Sequence, residues 1–98
     1  MPENLVIKRD GRAVSFDEKK IYRAIKRAAG AAMKPSDIQY VVDEVLDYFK
    51  NDDSVTVEEI QDEVENALMH SRFTDVARDY VRYRQIHEMK RKANDALM

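Results

Sequence analysis

The Asp10-Gly11 pair constrains the start of this chain more than any other feature. An Asp-Gly step between β-favouring residues marks a tight hairpin. A two-residue type I′ turn needs positive φ at both central positions, and glycine accepts this without strain. Leu5-Val6-Ile7 leads into the turn and Ala13-Val14 leads out. Ser15 and Glu18 then have capping-box spacing, so a helix is expected directly behind the hairpin. Lys8, Arg9 and Arg12 crowd the turn, and Lys19, Lys20 and Arg23 sit in the first turns of the helix. A helix start offers unpaired N–H groups and the positive end of the dipole. Cations on a rigid turn beside it suit a polyphosphate. The plainer alternative is a solvated hairpin tip whose charges keep a sheet edge soluble.

Helical periodicity organises the rest. The first helix is expected to end near Ala29, with Ile21, Ile25 and Ala28 inward, Ala24 beside them, and Gly30 as a left-handed C-cap. Pro35 restarts the chain, with Ser36 and Gln39 spaced as a second capping box. Ile38, Val41, Val42, Val45, Leu46 and Phe49 form an apolar stripe, and Asp43, Glu44 and Asp47 the wet side. Residues 51–54 form a turn by composition. Val55-Thr56-Val57 could add a strand beside the hairpin, and Thr56 with Glu59 makes a third capping box. A third helix to about Met69 buries Ile60, Val64, Ala67 and Leu68. A fourth starts near Asp75, capped by Ser71 or Thr74. It carries Val76, Ala77, Tyr80, Val81, Tyr83, Arg84 and His87 on one broad face. The expected fold is α+β and mostly helical: a β-hairpin, four helices and one further strand that could extend the hairpin to a small three-stranded sheet. Residues 1–92 form one domain, and 93–98 read as a fraying tail or the start of a linker.

Composition narrows the chemistry. A 98-residue chain, 44% hydrophobic, can build one modest core. It has no cysteine, which removes disulfides, thiolate metal sites and thiol catalysis. No signal peptide or spanning apolar run is visible, so a cytoplasmic protein away from membranes is expected. The net charge of −2 conceals a segregation. Residues 1–30 hold eight Lys/Arg against four Asp/Glu, residues 36–66 hold eleven acidic residues against Lys50 alone, and residues 67–98 hold seven basic against four acidic. Should the basic ends meet in space, they could frame an anion. Overall acidity argues against nonspecific binding to nucleic acid.

No active site emerges. With only Gly11 and Gly30, no glycine-rich phosphate loop can be built. His70 and His87 are too far apart for one helical metal pair, and each reads as a surface or helix-end histidine. No nucleophile elbow is present. Paired carboxylates such as Glu58-Glu59 are adjacent in sequence and point different ways. Tyr80, Tyr83 and Arg84 read first as core, and alternatively as a stacking wall for a base, with Arg84 or Arg82 reaching a phosphate.

Val6-x-Lys8-Arg9-Asp10-Gly11-Arg12, then Phe16-Asp17 and Lys20-Ile21, resembles the opening of an ATP-cone. Val57-Glu58-Glu59-Ile60-Gln61-Asp62-x-Val64-Glu65-Asn66-x-Leu68-Met69 looks like that family's third helix, and Ala77-Arg78-x-Tyr80-Val81-x-Tyr83-Arg84 its last. These two runs are most similar to the cone of anaerobic, class III ribonucleoside-triphosphate reductase. The resemblance covers about Asn4 to Lys92. It implies a non-catalytic allosteric domain that binds ATP or dATP, with Mg2+ on the phosphates, and switches overall reductase activity. Its partners would be the catalytic domain of the parent reductase and, under nucleotide control, other copies of itself. By the same resemblance Val6, Lys8, Arg9 and Lys20 carry over to phosphate and backbone contacts. Ile21 carries over to packing on the nucleotide, and Gln61 and Tyr83 to the pocket side made by the third and fourth helices. Asp17 joins the set, and no metal-binding residue is implied. Many class I members have an acidic residue where Val14 stands and a histidine where Gln61 stands, so base or ribose contacts could differ. The alternatives are a degenerate cone that serves only protein interaction, and the regulatory module of a transcriptional repressor, although no zinc ribbon is present.

Overall fold

The hairpin forms, with a longer loop than the two-residue turn expected. In the computed structural model, which describes residues 5–8 and 10–96 and side chains as far as Lys90, β1 (Leu5–Ile7) pairs antiparallel with β2 (Ala13–Ser15). Lys8 donates its N–H to the Arg12 carbonyl at 2.8 Å, and Gly11 donates to the Lys8 carbonyl at 2.9 Å. Lys8 and Arg12 are therefore the pair that closes the hairpin, one residue wider than a two-residue turn. Gly11 follows the turn with φ of 88°, as the left-handed residue of a glycine bulge. Asp10 secures the bulge by accepting from the Arg12 N–H at 3.0 Å.

Three helix starts were expected from capping boxes, and one forms in full. Ser15 is paired with Leu5 in the sheet, so α1 (Glu18–Ala29) is capped by Asp17, whose Oδ1 accepts from the Lys19 N–H at 3.0 Å. Pro35 takes the first position of α2 (Pro35–Tyr48), where its missing N–H costs nothing. Lys34, not Ser36, is then the N-cap, and its N–H donates to Asp37 Oδ2 at 3.2 Å. Thr56 and Glu59 make both bonds of the box at the start of α3 (Val57–His70). Gly30 has φ of 55° but ψ of −122°, outside the left-handed helical basin, and leads into a single 3-10 turn at Gly30–Ala32.

The α3 terminus is a Schellman motif that the sequence reading missed. Phe73 donates its N–H to the Leu68 carbonyl at 2.9 Å and Arg72 to that of Met69 at 3.2 Å. Arg72 takes the left-handed position, with φ of 68°. The chain then enters α4 (Thr74–Ala96), with Thr74 already its first residue.

The third strand, β3 (Ser54–Thr56), runs parallel to β1 on the side opposite β2, giving the order β2-β1-β3. It lies one residue earlier than expected because Val57 already belongs to α3. The four helices touch in a closed ring: α1 on α2, α2 on α3, α3 on α4 and α4 on α1. Both basic segments thus become neighbours, while the acidic segment holds α2 and α3. One core fills the ring, centred on Ile25, Val41, Val45 and Leu68, each at 0% exposure. Burying an aliphatic side chain of this size contributes roughly 1.5–3 kcal/mol. The apolar stripes of α1 to α3 point inward as expected, with Ala28, Leu46 and Ile60 only partly covered. No charged or polar residue is buried among the described residues.

Candidate functional site

A cleft of about 630 Å³ opens between the sheet, the first turns of α1 and α3, and the middle of α4. Each element presents one face to it, at its natural spacing. The strands give Val6 and Val14, Lys8 follows directly on β1, and α1 gives Lys20, Ile21 and Ala24 beyond its cap Asp17. The start of α3 gives Val57, Ile60 and Gln61, and α4 gives Tyr80, Tyr83, Arg84 and His87. Steps of two in the strand and of three and four in the helices put these side chains on single faces. The floor is apolar, with cations at Lys8, Lys20 and Lys90 and carboxylates at Asp17 and Glu88. Such a volume, apolar with a few convergent polar groups, suits a small organic ligand.

Of the residues singled out in the sequence, Val6, Lys8, Asp17, Lys20, Ile21, Gln61 and Tyr83 all line this cleft. Arg9 lies outside the described residues. Arg12 does not line it. Its guanidinium Nε donates to Asp10 Oδ2 at 2.7 Å on the outer face of the loop. The Arg12 backbone N–H, with help from its guanidinium and from Lys8, holds the Asp10 carboxyl below its ordinary 3.8 against a smaller desolvation effect.

Tyr80 is core, as first read: it is 3% exposed, and burial pushes its hydroxyl far above the usual tyrosine range. Tyr83 stacks on Tyr80 with ring centres 6.1 Å apart, and the His87 ring lies 4.4 Å from Tyr83. Tyr83 and His87 therefore form the half-open aromatic wall. His87 was readable only as the next step after Tyr83 on one helical face.

Arg84 is not aimed at a phosphate. Its Nε donates to Gln61 Oε1 at 3.1 Å, and its Nη1 to Asp62 Oδ1 at 3.0 Å and to Glu65. The three acceptors occupy one stretch of α3. Desolvation works against the Arg84 charge, yet the bonds to Glu65 and Asp62 outweigh it and raise the guanidinium above its ordinary range. Arg82 is exposed, 4.0 Å from Asp79, and faces away from the cleft. Among the described residues no group of three His, Asp or Glu side chains could hold a metal, and no helix is long and apolar enough to cross a membrane. A Mg2+ would fit here only as a companion of bound phosphates, with Asp17 and Glu88 as the carboxylates within the cleft.

The family described as the ATP cone domain matches residues 4–89. The chain belongs to the ATP-cone family, the regulatory domain of ribonucleotide reductases, whose members take ATP or dATP as allosteric effectors. It is 40% identical over 89 residues to the vitamin B12-dependent ribonucleoside-diphosphate reductase of Thermoplasma acidophilum, covering 82% of this chain and 11% of that protein. It is 37% identical over 95 residues to the anaerobic ribonucleoside-triphosphate reductase of Escherichia coli, covering 94% and 13%. The corresponding enzyme of Haemophilus influenzae is 34% identical over 98 residues, covering 94% and 14%. The chain thus spans between 11% and 14% of the length of these three relatives.

Proposed function

We propose that this domain binds ATP and dATP in the cleft under the sheet and, without catalysing a reaction itself, switches the activity of a ribonucleotide reductase. The observation that carries this reading is the convergence of Lys8 and Lys20 on one apolar cleft closed by Tyr83. Two donor-only ammonium groups offset part of the charge of a polyphosphate, while Val6, Ile21 and Ile60 offer apolar area to a purine. By family resemblance Arg9 is assigned to the phosphate side as well. Mg2+ travels on the phosphates, and when bound it shields their charge.

Likeness to anaerobic ribonucleoside-triphosphate reductases supports a parent of that class, in the cytoplasm, with the catalytic part of the reductase as the partner. Regulation requires that ATP and dATP favour different conformations or assemblies, since an effector shifts an equilibrium only through differential affinity. Nucleotide-dependent self-association is one such route.

Calorimetric titration with ATP and dATP in the presence of Mg2+ tests the reading. Micromolar-range binding that Lys8→Ala/Lys20→Ala abolishes is the expected result. Binding indifferent to both substitutions would move the site elsewhere. No binding of either nucleotide would leave a cone that serves protein interaction alone.

A further inference from the structure

The contact between Arg84 and Gln61 decides which half of an amide faces the cleft. Arginine has hydrogen-bond donors and no acceptor. The Gln61 side chain meeting Arg84 Nε at 3.1 Å must therefore present its oxygen there, because the flipped amide would oppose donor to donor. Arg84 cannot swing away to relax this, since its Nη1 is bonded to Asp62 and Glu65 on the same helix and its side chain is only 21% exposed. The amide nitrogen is left over. Gln61 lines the cleft, its Nε2 donates to no described residue, and among the described residues no side-chain polar atom is both buried and unpartnered. Its N–H groups are therefore open to a ligand.

We infer that Arg84 is a positioning residue that locks Gln61 as a hydrogen-bond donor into the cleft, so that the nucleotide atom meeting Gln61 is an acceptor. This rests on the cleft being the nucleotide site proposed above. It assigns the polarity of one recognition contact. A purine ring nitrogen or a ribose oxygen satisfies it, whereas a ring N–H or an exocyclic amine at that place is rejected. It also gives Arg84 a role distinct from phosphate binding, exerted through Gln61.

Two measurements on the 98-residue chain test it. The first needs no ligand. In NMR spectra of the free domain, the Arg84 Nε–H signal should be protected from exchange and should move or vanish in Gln61→Met. A signal indifferent to Gln61→Met overturns the inference, whatever the domain binds. The second is titration with ATP and with analogues that each lack one acceptor: 1-deaza, 3-deaza and 7-deaza ATP, and dATP for the 2′ oxygen. One analogue should bind wild type on the order of two- to tenfold more weakly than ATP, the range of a single neutral hydrogen bond. That discrimination should disappear in Gln61→Met, fall in Arg84→Met where the amide is free to flip, and survive in Arg84→Lys, whose ammonium is also donor-only. Discrimination that persists in Gln61→Met, or stays intact in Arg84→Met, overturns the inference. If no nucleotide binds while the free-domain signal still depends on Gln61, the reading of the cleft fails and the Arg84–Gln61 link stands.

Discussion

Thr56 and Glu59 exchange hydrogen bonds: the Glu59 N–H donates to Thr56 Oγ1 and the Thr56 N–H to Glu59 Oε1, both at 3.1 Å. Thr56 is also the last residue of β3, opposite Ile7 of β1. One residue therefore ends the third strand, starts α3, and fixes how the sheet lies over the cleft wall at Val57, Ile60 and Gln61. Thr56→Val keeps the β-branched shape and removes only the hydroxyl. It should destabilise the domain by about 1 kcal/mol. For a domain of this size that is a fall in melting temperature of roughly 4–8 °C. A double-mutant cycle with Glu59→Ala should show coupling, and strictly additive losses would show that the box contributes nothing as a unit.

Arg72 holds the left-handed position of the Schellman motif after α3, with φ of 68°. A residue with a Cβ is strained there by roughly 1–2 kcal/mol, whereas glycine is not. Glycine loses more entropy on folding, by about 0.5–1 kcal/mol, which offsets part of the gain. Arg72→Gly should therefore stabilise the domain slightly. Arg72→Val, β-branched at the same φ, should destabilise it. Chemical denaturation of the two variants checks the order, and a drop in stability for Arg72→Gly would refute the assignment of strain.

The helices were legible because their apolar stripes obey a single period, and each interior residue of α2 follows from the spacing of Ile38, Val41, Val42 and Val45. The ends were less legible, since several residues near each boundary can cap and tertiary pairing decides between them. Ser15 is drawn into the sheet by Leu5, so the cap passes to Asp17. Pro35 fixes φ so well for a first helical position that Ser36 is drawn inside the helix. The left-handed turn at Arg72 had no glycine to announce it. Lys8 and Lys20 could be expected together from the charge on the turn and on the helix start behind it, but adding Gln61 and Tyr83 to the same cleft could be expected only through resemblance, because it depends on the packing of α4 against α1 and α3. The bonds from Arg84 to α3 lay beyond the sequence for the same reason, because its partners are 19 to 23 residues away.

Asp10 should report the hairpin loop in a pH titration. Its folded pKa lies below 3.8, chiefly through the Arg12 N–H bond, so its contribution is complete above that value and is lost as pH falls through the folded pKa. Wild type should exceed Asp10→Ala in stability at neutral pH, and the gap should narrow only below about pH 4. Carboxyl chemical shifts followed by NMR check the direction, and a midpoint above 3.8 would contradict the bonding described.

Lys19 and Lys20 are adjacent in sequence yet face different surfaces. Lys20 lines the cleft under the sheet, whereas Lys19 lines a separate groove between α1 and α2 with Tyr22, Arg23 and Lys26. One step along a helix turns the side chain by about 100°, which suffices to part them. If the cleft takes a triphosphate, Lys20→Gln should weaken ATP binding by roughly tenfold or more, the loss of a charge-assisted bond. Lys19→Gln removes the same charge one residue away and should change affinity little beyond a screened, long-range effect. Adenosine, which has no phosphate, should bind both variants alike. Equal losses for the two variants with ATP would mean that the phosphates respond to the general charge of α1 and not to a contact from Lys20.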